Sequence, residues 1–313
     1  MNNILVSLEL DTEHKKALEE AAGIPLTFMT PQETSSADVS GYDAILGIVS
    51  FEKLKEAVNL KWLQIPWAGV EGLSGIVPTD ARISNGSGAY GVSVAEHMLA
   101  LTLSLAYNIP DYVRLGDQKS WTPINKLRTI AGSTVLVLGT GDIGSNYASM
   151  VKALGAVTIG ICRSNTSPKL MFDEIYTADN LNDVIGRADI IAVATPGGRN
   201  SFHILGEEQF ALMRENCIVV SGGRGTNIDT AALCRALNEE RIAGAGLDVI
   251  EGEPLDNKTD IWSTKNLLIT PHVAGKFGTK YVFDKVFDIF LENISRYTKG
   301  LPLINETDKD LEY

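Results

Sequence analysis

The chain has few cysteines, few histidines and no long apolar run, and each shortage disfavours a class of protein. Only 3 of its 313 residues are cysteine and 4 are histidine. Cys162, Cys217 and Cys234 lack metal-ligand spacing, so we expect reduced thiols, no disulfide framework and no metal site. No apolar run approaches the ~20 residues that span a bilayer. The first residues enter a strand-like segment without a basic leader, which predicts a cytoplasmic protein.

Basic residues are also in short supply. The sequence has 27 Lys and Arg against 39 Asp and Glu, a formal net charge of −12. Such a charge disfavours nucleic acid as a partner, and it makes any cation in a pocket more informative than usual. A hydrophobic content of 44% and a charged content of 21% are ordinary for a globular protein long enough for two domains.

A glycine-rich turn near the middle of the chain is the most informative motif. Residues 135–144 read VLVLGTGDIG, an apolar run that ends in G-x-G-x-x-G. Gly139 permits a tight turn, Gly141 lets the backbone approach a pyrophosphate, and Gly144 allows close packing of helix on strand. A turn that serves packing alone is the alternative. The motif predicts a dinucleotide site made of Gly139, Thr140, Gly141, Asp142, Ile143 and Gly144.

Alternating strand and helix patterns predict two α/β domains. Before residue 100 the strands are short and lie between helical patterns; after residue 134 six strands alternate with helices, as in a doubly wound Rossmann sheet. Residues 92–106 read as a crossover helix and residues 108–128 as a polar arm or linker. We predict a substrate domain at 1–100 plus 282–313 and a dinucleotide-binding domain at 101–281.

Reactive side chains follow several of the later strands. A guanidinium, carboxylates and an imidazole at these positions suit the reduction of a keto acid, because a carbonyl that accepts a hydride also needs a proton donor. A carboxylate keeps an imidazole charged and oriented, and arginine binds a substrate carboxylate in a planar fork. We interpret the other histidines, His14, His97 and His203, as surface or core residues without partners. The reactive residues are Arg224, Asp248, Glu251, Glu253 and His272.

These motifs, taken in order, resemble the D-isomer-specific 2-hydroxyacid dehydrogenases over nearly the whole chain. The resemblance implies a flavodoxin-like substrate domain, a Rossmann domain, a cleft that closes on the substrate and a homodimer formed through the arm and the crossover helix. It implies that Arg224 binds substrate, that Glu253 pairs with the acid/base His272, and that Asp248 holds the nicotinamide side. It also implies that the backbone N–H groups of Ala68 and Gly69 bind the substrate carboxylate.

The residues at the end of the second strand of the Rossmann domain indicate whether the cofactor is NAD or NADP. NAD-preferring members of the family have an acidic residue about 18 positions past the last glycine. Cys162 stands there, followed by Arg163 and Ser164. A cation and a hydroxyl in place of a carboxylate favour NADP, with NAD possible. Thr195 and Pro196, after another predicted strand, complete the cofactor-binding set.

The activity predicted is therefore the NADPH-dependent reduction of a small 2-keto acid to a D-2-hydroxy acid, with no nucleic acid or membrane partner. A D-3-phosphoglycerate-type dehydrogenase is an alternative, for which Lys53 and Lys55 are the candidate phosphate ligands. A second alternative is a nucleotide-sensing scaffold like the corepressor relative of this family. The intact Arg224, Glu253 and His272 favour an enzyme, and Glu253 disfavours a formate-dehydrogenase-like reaction.

Overall fold

The chain forms two compact units. A computed structural model describes residues 3–70, 72–73, 75–163 and 167–307. The first unit comprises the residues up to Tyr90 together with those from Lys276 onward, and the second comprises Gly91–Gly275. The sequence analysis placed the domain boundaries after residues 100 and 281, and those boundaries stay a prediction.

The first unit contains a five-stranded parallel sheet with the order β2-β1-β3-β4-β5. This is the flavodoxin-like order, so the predicted fold of this unit is confirmed. Helix α1 begins after Asp11, whose side chain accepts from the His14 N–H, and ends at Gly23 with φ +67°. The elements are β1 Ile4–Ser7, α1 Thr12–Ala22, β2 Thr27–Met29, α2 Pro31–Ser36, β3 Ala44–Gly47, α3 Phe51–Leu54, β4 Trp62–Gln64 and β5 Arg82–Ser84.

The second unit opens with two helices and continues as alternating strands and helices. Short 3-10 turns at Ala178–Asn180, Ile185–Arg187, Gly225–Asn227 and Asp260–Ser263 interrupt its loops. Its elements are α4 Gly91–Ala106, α5 Ile109–Asp117, β6 Thr134–Leu138, α6 Asp142–Ala153, β7 Val157–Cys162, β8 Glu174–Thr177, α7 Leu181–Val184, β9 Ile190–Val193, α8 Glu207–Leu212, β10 Ile218–Ser221, α9 Thr230–Asn238, β11 Gly244–Leu247 and β12 Leu267–Ile269.

The strands of this unit form one parallel sheet with the order β12-β11-β10-β9-β6-β7-β8. The doubly wound Rossmann fold is confirmed. The described sheet has seven strands rather than the six predicted, because β8 was missed. Strand β8 lies at the edge of the sheet, and all four of its residues are only half-buried. An edge strand of this kind does not need an apolar run, and its sequence has none. The predicted arm is also more ordered than expected, since α5 occupies its first half.

The last helix, α10 (Lys280–Thr298), belongs to the first unit. It begins after Thr279, whose hydroxyl accepts from the Val282 N–H. Its buried Phe290 and Ile294 join the core that also contains Leu18 of α1. The helix therefore covers one face of the five-stranded sheet.

Among the described helices, none is by itself long and apolar enough to cross a membrane. Helices α4 and α5 satisfy that length and composition requirement only as a pair, and they are bent by 62° relative to each other.

The strand register brings four loops to one edge of the second sheet. Ser221 at the end of β10 pairs with Val193 of β9 and with Leu247 of β11, and Leu247 pairs with Ile269 of β12. Because all four strands are parallel, the loops that follow them begin side by side. These loops start at residues 194, 222, 248 and 270, where the sequence places its reactive side chains.

Candidate functional site

The glycine-rich turn leaves room for a ligand at one of its three motif glycines. Gly139 has φ +97°, and a Cβ there would lie 2.6 Å from the Ala194 carbonyl oxygen. A Cβ on Gly144 would lie 1.9 Å from the Gly139 oxygen. A Cβ on Gly141, by contrast, would meet nothing within 4 Å. The fold itself thus requires glycine at 139 and 144, whereas the space beside Gly141 is open, as a phosphate cradle needs.

Two buried hydroxyls near this turn have no protein partner. Within the described part of the chain, Thr195 Oγ1 and Ser221 Oγ are buried without a hydrogen bond. Thr195 follows β9, the strand next to β6 and its glycine turn, and Ser221 ends β10, the next strand in the sheet. Buried polar atoms are normally paired, so unpaired ones at a ligand edge fit a polar group supplied by a ligand. The residues present therefore fit a dinucleotide.

The other predicted residues of the turn bond mainly to protein. The Thr140 carbonyl accepts from Ser145 Oγ and from the Lys169 ammonium, a cation that the sequence analysis did not single out. Asp142 Oδ1 accepts from Asn146 Nδ2 at 2.9 Å, and its carboxylate lies against the Gly91 backbone. Desolvation raises the pKa of Asp142, which weakens the repulsion of a phosphate placed nearby.

The predicted acid/base pair is formed. His272 Nδ1 lies 2.6 Å from Glu253 Oε1, and the other carboxylate oxygen accepts from the Ile250 N–H at 3.1 Å. Because the carboxylate can only accept, Nδ1 carries the hydrogen. The opposite ring nitrogen, Nε2, is then the atom available for proton exchange with a reactant. Both side chains are partly exposed, at 52% for His272 and 33% for Glu253.

The buried carboxylate of Asp248 fixes the turn that carries His272. Asp248 is only 2% exposed. Oδ1 accepts from the Thr270 hydroxyl at 2.6 Å and the Val273 N–H at 2.9 Å, and Oδ2 accepts from the Ala274 N–H at 2.9 Å. The Asp248 carbonyl accepts from the His272 N–H at 2.8 Å, which holds that residue at φ +48°. Direct contact of Asp248 with a nicotinamide stays a prediction.

Arg224 lies in the loop after β10, next to the loops of Glu253 and His272. Its Nη1 donates to the Gly223 carbonyl at 3.0 Å, and its backbone N–H donates to Asn227 Oδ1 at 2.7 Å. The side chain is half-buried. The described structure therefore brings the three predicted catalytic residues to the same edge of one sheet.

The expectation that the other histidines lack partners was wrong, because each of them has one. His14 Nδ1 lies 2.7 Å from Asp11 Oδ1, in the cap of α1. His97 Nε2 lies 2.8 Å from the Thr270 hydroxyl, 173 positions away in sequence, and 3.5 Å from Asp248 Oδ1. His203 Nε2 lies 3.0 Å from Glu251. Only the His14 pair, at helix-cap spacing, had a signal in the sequence.

Arg163 lies at the carboxyl-end edge of the second sheet, after the strand next to β6, whereas Ala68 and Gly69 belong to the first unit. Exposed Arg163 directly follows β7, whereas Ser164 lies outside the described residues. Ala68 and Gly69 lie in a half-buried loop after β4 in the first unit, where the Ala68 carbonyl accepts from Asn85 Nδ2. Among the described residues, neither of their backbone N–H groups has a protein acceptor.

Comparison with known proteins agrees with this geometry. Residues 99–274 match the model described as "D-isomer specific 2-hydroxyacid dehydrogenase, NAD binding domain". A glyoxylate reductase of Aeropyrum pernix is 32% identical over 70% of this chain and 67% of that protein. A D-3-phosphoglycerate dehydrogenase of Methanocaldococcus jannaschii is 31% identical over 96% of this chain and 58% of that protein.

A crystal structure also resembles the whole chain. It is a D-isomer specific 2-hydroxyacid dehydrogenase from Xanthobacter autotrophicus Py2 in complex with NADPH and MES. It has a TM-score of 0.80 and 25% identity, and the match covers 100% of this chain and 99% of that one.

The glycine geometry predicts different outcomes for two matched substitutions. Gly141→Ala places its methyl group in open space, so thermal stability should be unchanged while dinucleotide affinity falls about tenfold or more, the effect of losing ~1.4 kcal/mol. Gly144→Ala forces helix and strand apart and should also cost about 1–3 kcal/mol of folding free energy. Calorimetric titration with NADPH and thermal unfolding measure both. Full NADPH affinity in Gly141→Ala would remove the phosphate site from this turn.

Proposed function

Because the chain belongs to the D-isomer-specific 2-hydroxyacid dehydrogenase family, we propose that it reduces a small 2-keto acid with NADPH to the D-2-hydroxy acid. The family makes it an NAD(P)-dependent oxidoreductase. The observation that carries the choice of reaction is the 2.6 Å contact between His272 Nδ1 and Glu253 Oε1. An oriented imidazole beside a carboxylate suits a reaction that delivers a proton to a carbonyl oxygen.

His272 supplies the proton and Glu253 keeps it in the useful position. The bound cofactor supplies the hydride. The Glu253 carboxylate accepts from Nδ1, so the second imidazole proton resides on Nε2 and is given to the substrate oxygen. After transfer, the ring stays in the tautomer with the hydrogen on Nδ1. The carboxylate stabilises the imidazolium that exists before transfer and re-forms when the hydroxy acid is oxidised.

Arg224 supplies the planar cation for the keto acid. A guanidinium can hold a carboxylate and the adjacent carbonyl oxygen in one plane, which a lysine cannot. We further propose that Ala68 and Gly69 donate their backbone N–H groups to the substrate carboxylate. In support, neither group has a protein acceptor among the described residues.

Substitution of the acid/base pair tests this proposal. The unmodified protein should oxidise NADPH with glyoxylate, hydroxypyruvate or pyruvate. His272→Ala should lose about a hundredfold or more in kcat, the usual contribution of a positioned proton donor, without losing NADPH binding. Glu253→Gln should also lower kcat, because a neutral amide stabilises the imidazolium less than a carboxylate does.

His14→Ala is the matched control, since this histidine also pairs with a carboxylate but lies on α1 of the other unit. It should leave kcat unchanged. A fully active His272→Ala, or no turnover of any of the three keto acids by the unmodified protein, would contradict the proposed reaction. NADPH binding without turnover would favour the nucleotide-sensing scaffold.

A phosphorylated substrate has less support. The sequence offers Lys53 and Lys55 as phosphate ligands. Lys53 Nζ, however, already lies 2.6 Å from Glu56 Oε2 and is only 14% exposed. One of the two candidate cations is therefore neutralised by a neighbour, which favours an unphosphorylated keto acid over 3-phosphohydroxypyruvate.

Two cations support a preference for NADPH over NADH. Arg163 follows β7, and Cys162 before it offers no carboxylate to ribose hydroxyls. Lys169 reaches back to the Thr140 carbonyl in the glycine turn, so its ammonium lies at the cofactor edge as well. Charge-assisted hydrogen bonds from such groups suit a 2′-phosphate.

Removal of either cation should lower the preference. Arg163→Ala and Lys169→Ala should each reduce kcat/KM with NADPH while leaving kcat/KM with NADH nearly unchanged, because only NADPH carries the extra phosphate. Arg235→Ala is the control, since this exposed arginine on α9 already pairs with Glu207 at 2.7 Å. Equal use of NADH and NADPH by the unmodified protein would contradict the phosphate-site assignment.

We also propose a homodimer formed through the arm. Helix α5 and the segment after it expose large apolar side chains, and Trp121 is fully exposed. An adjacent cavity of about 380 Å³ is lined by the arm and by the amino ends of β10–β12. Apolar side chains clustered on one segment are typical of a surface that a protein partner covers. The exposed set is Ile109, Tyr112, Val113, Trp121 and Leu127.

A charge on the arm should dissociate the dimer. Val113, on α5, is 59% exposed, so Val113→Glu should leave folding intact while placing a carboxylate in the proposed interface. Light scattering should report a dimer for the unmodified protein and a monomer for the variant. Leu212→Glu, at an equally apolar but separate exposed position on α8, should remain dimeric. A monomeric unmodified protein would refute the proposal.

A further inference from the structure

Asn227 is a buried amide that no part of the proposed reaction uses. It is 0% exposed and ends the 3-10 turn Gly225–Asn227, directly after Arg224. A buried side-chain amide is costly unless its hydrogen-bonding groups are satisfied. The partners of this one therefore indicate what it does.

The two ends of the amide bond to two different loops. Oδ1 accepts from the Arg224 backbone N–H at 2.7 Å. Nδ2 donates to the Pro196 carbonyl at 3.1 Å and to the Ser201 carbonyl at 3.2 Å. Because one end faces a donor and the other faces two acceptors, the orientation of the amide is determined by its surroundings. Both Nδ2 hydrogens are used.

The surrounding backbone is packed closely around this amide. A Cβ on Gly223 would lie 2.8 Å from Asn227 Oδ1 and 2.6 Å from the Thr195 carbonyl oxygen. The Leu205 N–H donates to the Asn227 carbonyl at 3.2 Å, and Ser201 Oγ donates to the Pro196 carbonyl at 2.6 Å. The arginine loop therefore cannot shift independently of the loop that follows β9.

We propose that Asn227 is a positioning residue that holds Arg224 in register with the loop carrying the candidate cofactor residues Thr195 and Pro196. This inference rests on the proposed reduction of a keto acid. Asn227 touches neither reactant: it fixes the backbone from which the Arg224 guanidinium extends. The placement of the substrate carboxylate thus depends on the same amide that organises the cofactor loop.

Asn227→Ala removes the bonds to both loops, whereas Asn227→Asp keeps the acceptor for the Arg224 N–H but places a carboxylate oxygen against the Pro196 and Ser201 carbonyls. We expect the keto acid KM to rise about tenfold or more in both variants, a cost of ~1.4 kcal/mol, because neither can hold the loop after β9. The NADPH dissociation constant should change less than the keto acid KM. Oxamate, an unreactive keto acid analogue, should bind the NADPH complex of Asn227→Ala correspondingly weakly.

Asn293 supplies a matched control. It is also 0% exposed, with Nδ2 donating to Gln64 Oε1 and to the Ile304 carbonyl, but it belongs to the first unit. Asn293→Ala should lower thermal stability without changing the keto acid KM. If Asn227→Ala and Asn293→Ala lose similar thermal stability but only Asn227→Ala raises the keto acid KM, the effect on KM is one of positioning and not of general destabilisation.

A double-mutant cycle with Arg224→Lys provides the second measurement. If Asn227 acts through Arg224, Asn227→Ala should raise the keto acid KM much less in the Arg224→Lys background than in the unmodified protein. An unchanged KM in Asn227→Ala, or an equal effect in both backgrounds, would overturn the inference. An unmodified protein that turns over no keto acid would instead refute the proposed function.

Discussion

The buried carboxylate of Asp248 is the constraint on which the reactive edge of the second unit depends. Removal of a carboxylate from water costs several kcal/mol unless hydrogen bonds replace the lost hydration, so its donors must occupy fixed places. Those donors are the Thr270 hydroxyl and the backbone N–H groups of Val273 and Ala274. The hydrogen bonds that the Asp248 carboxylate requires thereby set the conformation of the turn around His272.

This network also places a hydrogen on Nε2 of His97. The Thr270 hydroxyl has one hydrogen, and it goes to Asp248 because a carboxylate accepts only. His97 Nε2, 2.8 Å from the same hydroxyl oxygen, must then be the donor. The hydrogen bonds therefore run from His97 on α4 to Thr270 after β12, and from Thr270 to Asp248 after β11. The Asp248 carboxylate is buried, whereas the imidazole of His272, on the turn that it fixes, is half exposed and accessible to a reactant.

Much of the fold and of the candidate site could be predicted because parallel strands bring their carboxyl ends together. Arg224, Glu253 and His272 each follow a strand, and position along the chain was enough to place them on one edge. Strand β8 could not be predicted, since its four half-buried residues form no apolar run. The role of Asn227 and the partner of His97 were also missed. The partners of such polar residues are not visible in the sequence, and the hydroxyl that His97 contacts is 173 positions away.

The close packing of glycines around Arg224 has a consequence for how this protein can change. A side chain at Gly223 would collide with the Thr195 carbonyl, and one at Gly225 would lie 2.2 Å from the Ile250 carbonyl oxygen. The loops after β9, β10 and β11 therefore pack closely at these two glycines, and neither glycine can gain a side chain unless the facing carbonyl moves. Evolution or engineering of a new substrate preference through Gly223 or Gly225 therefore requires a compensating change in the facing loop, whereas a glycine that faces open space can be replaced by itself.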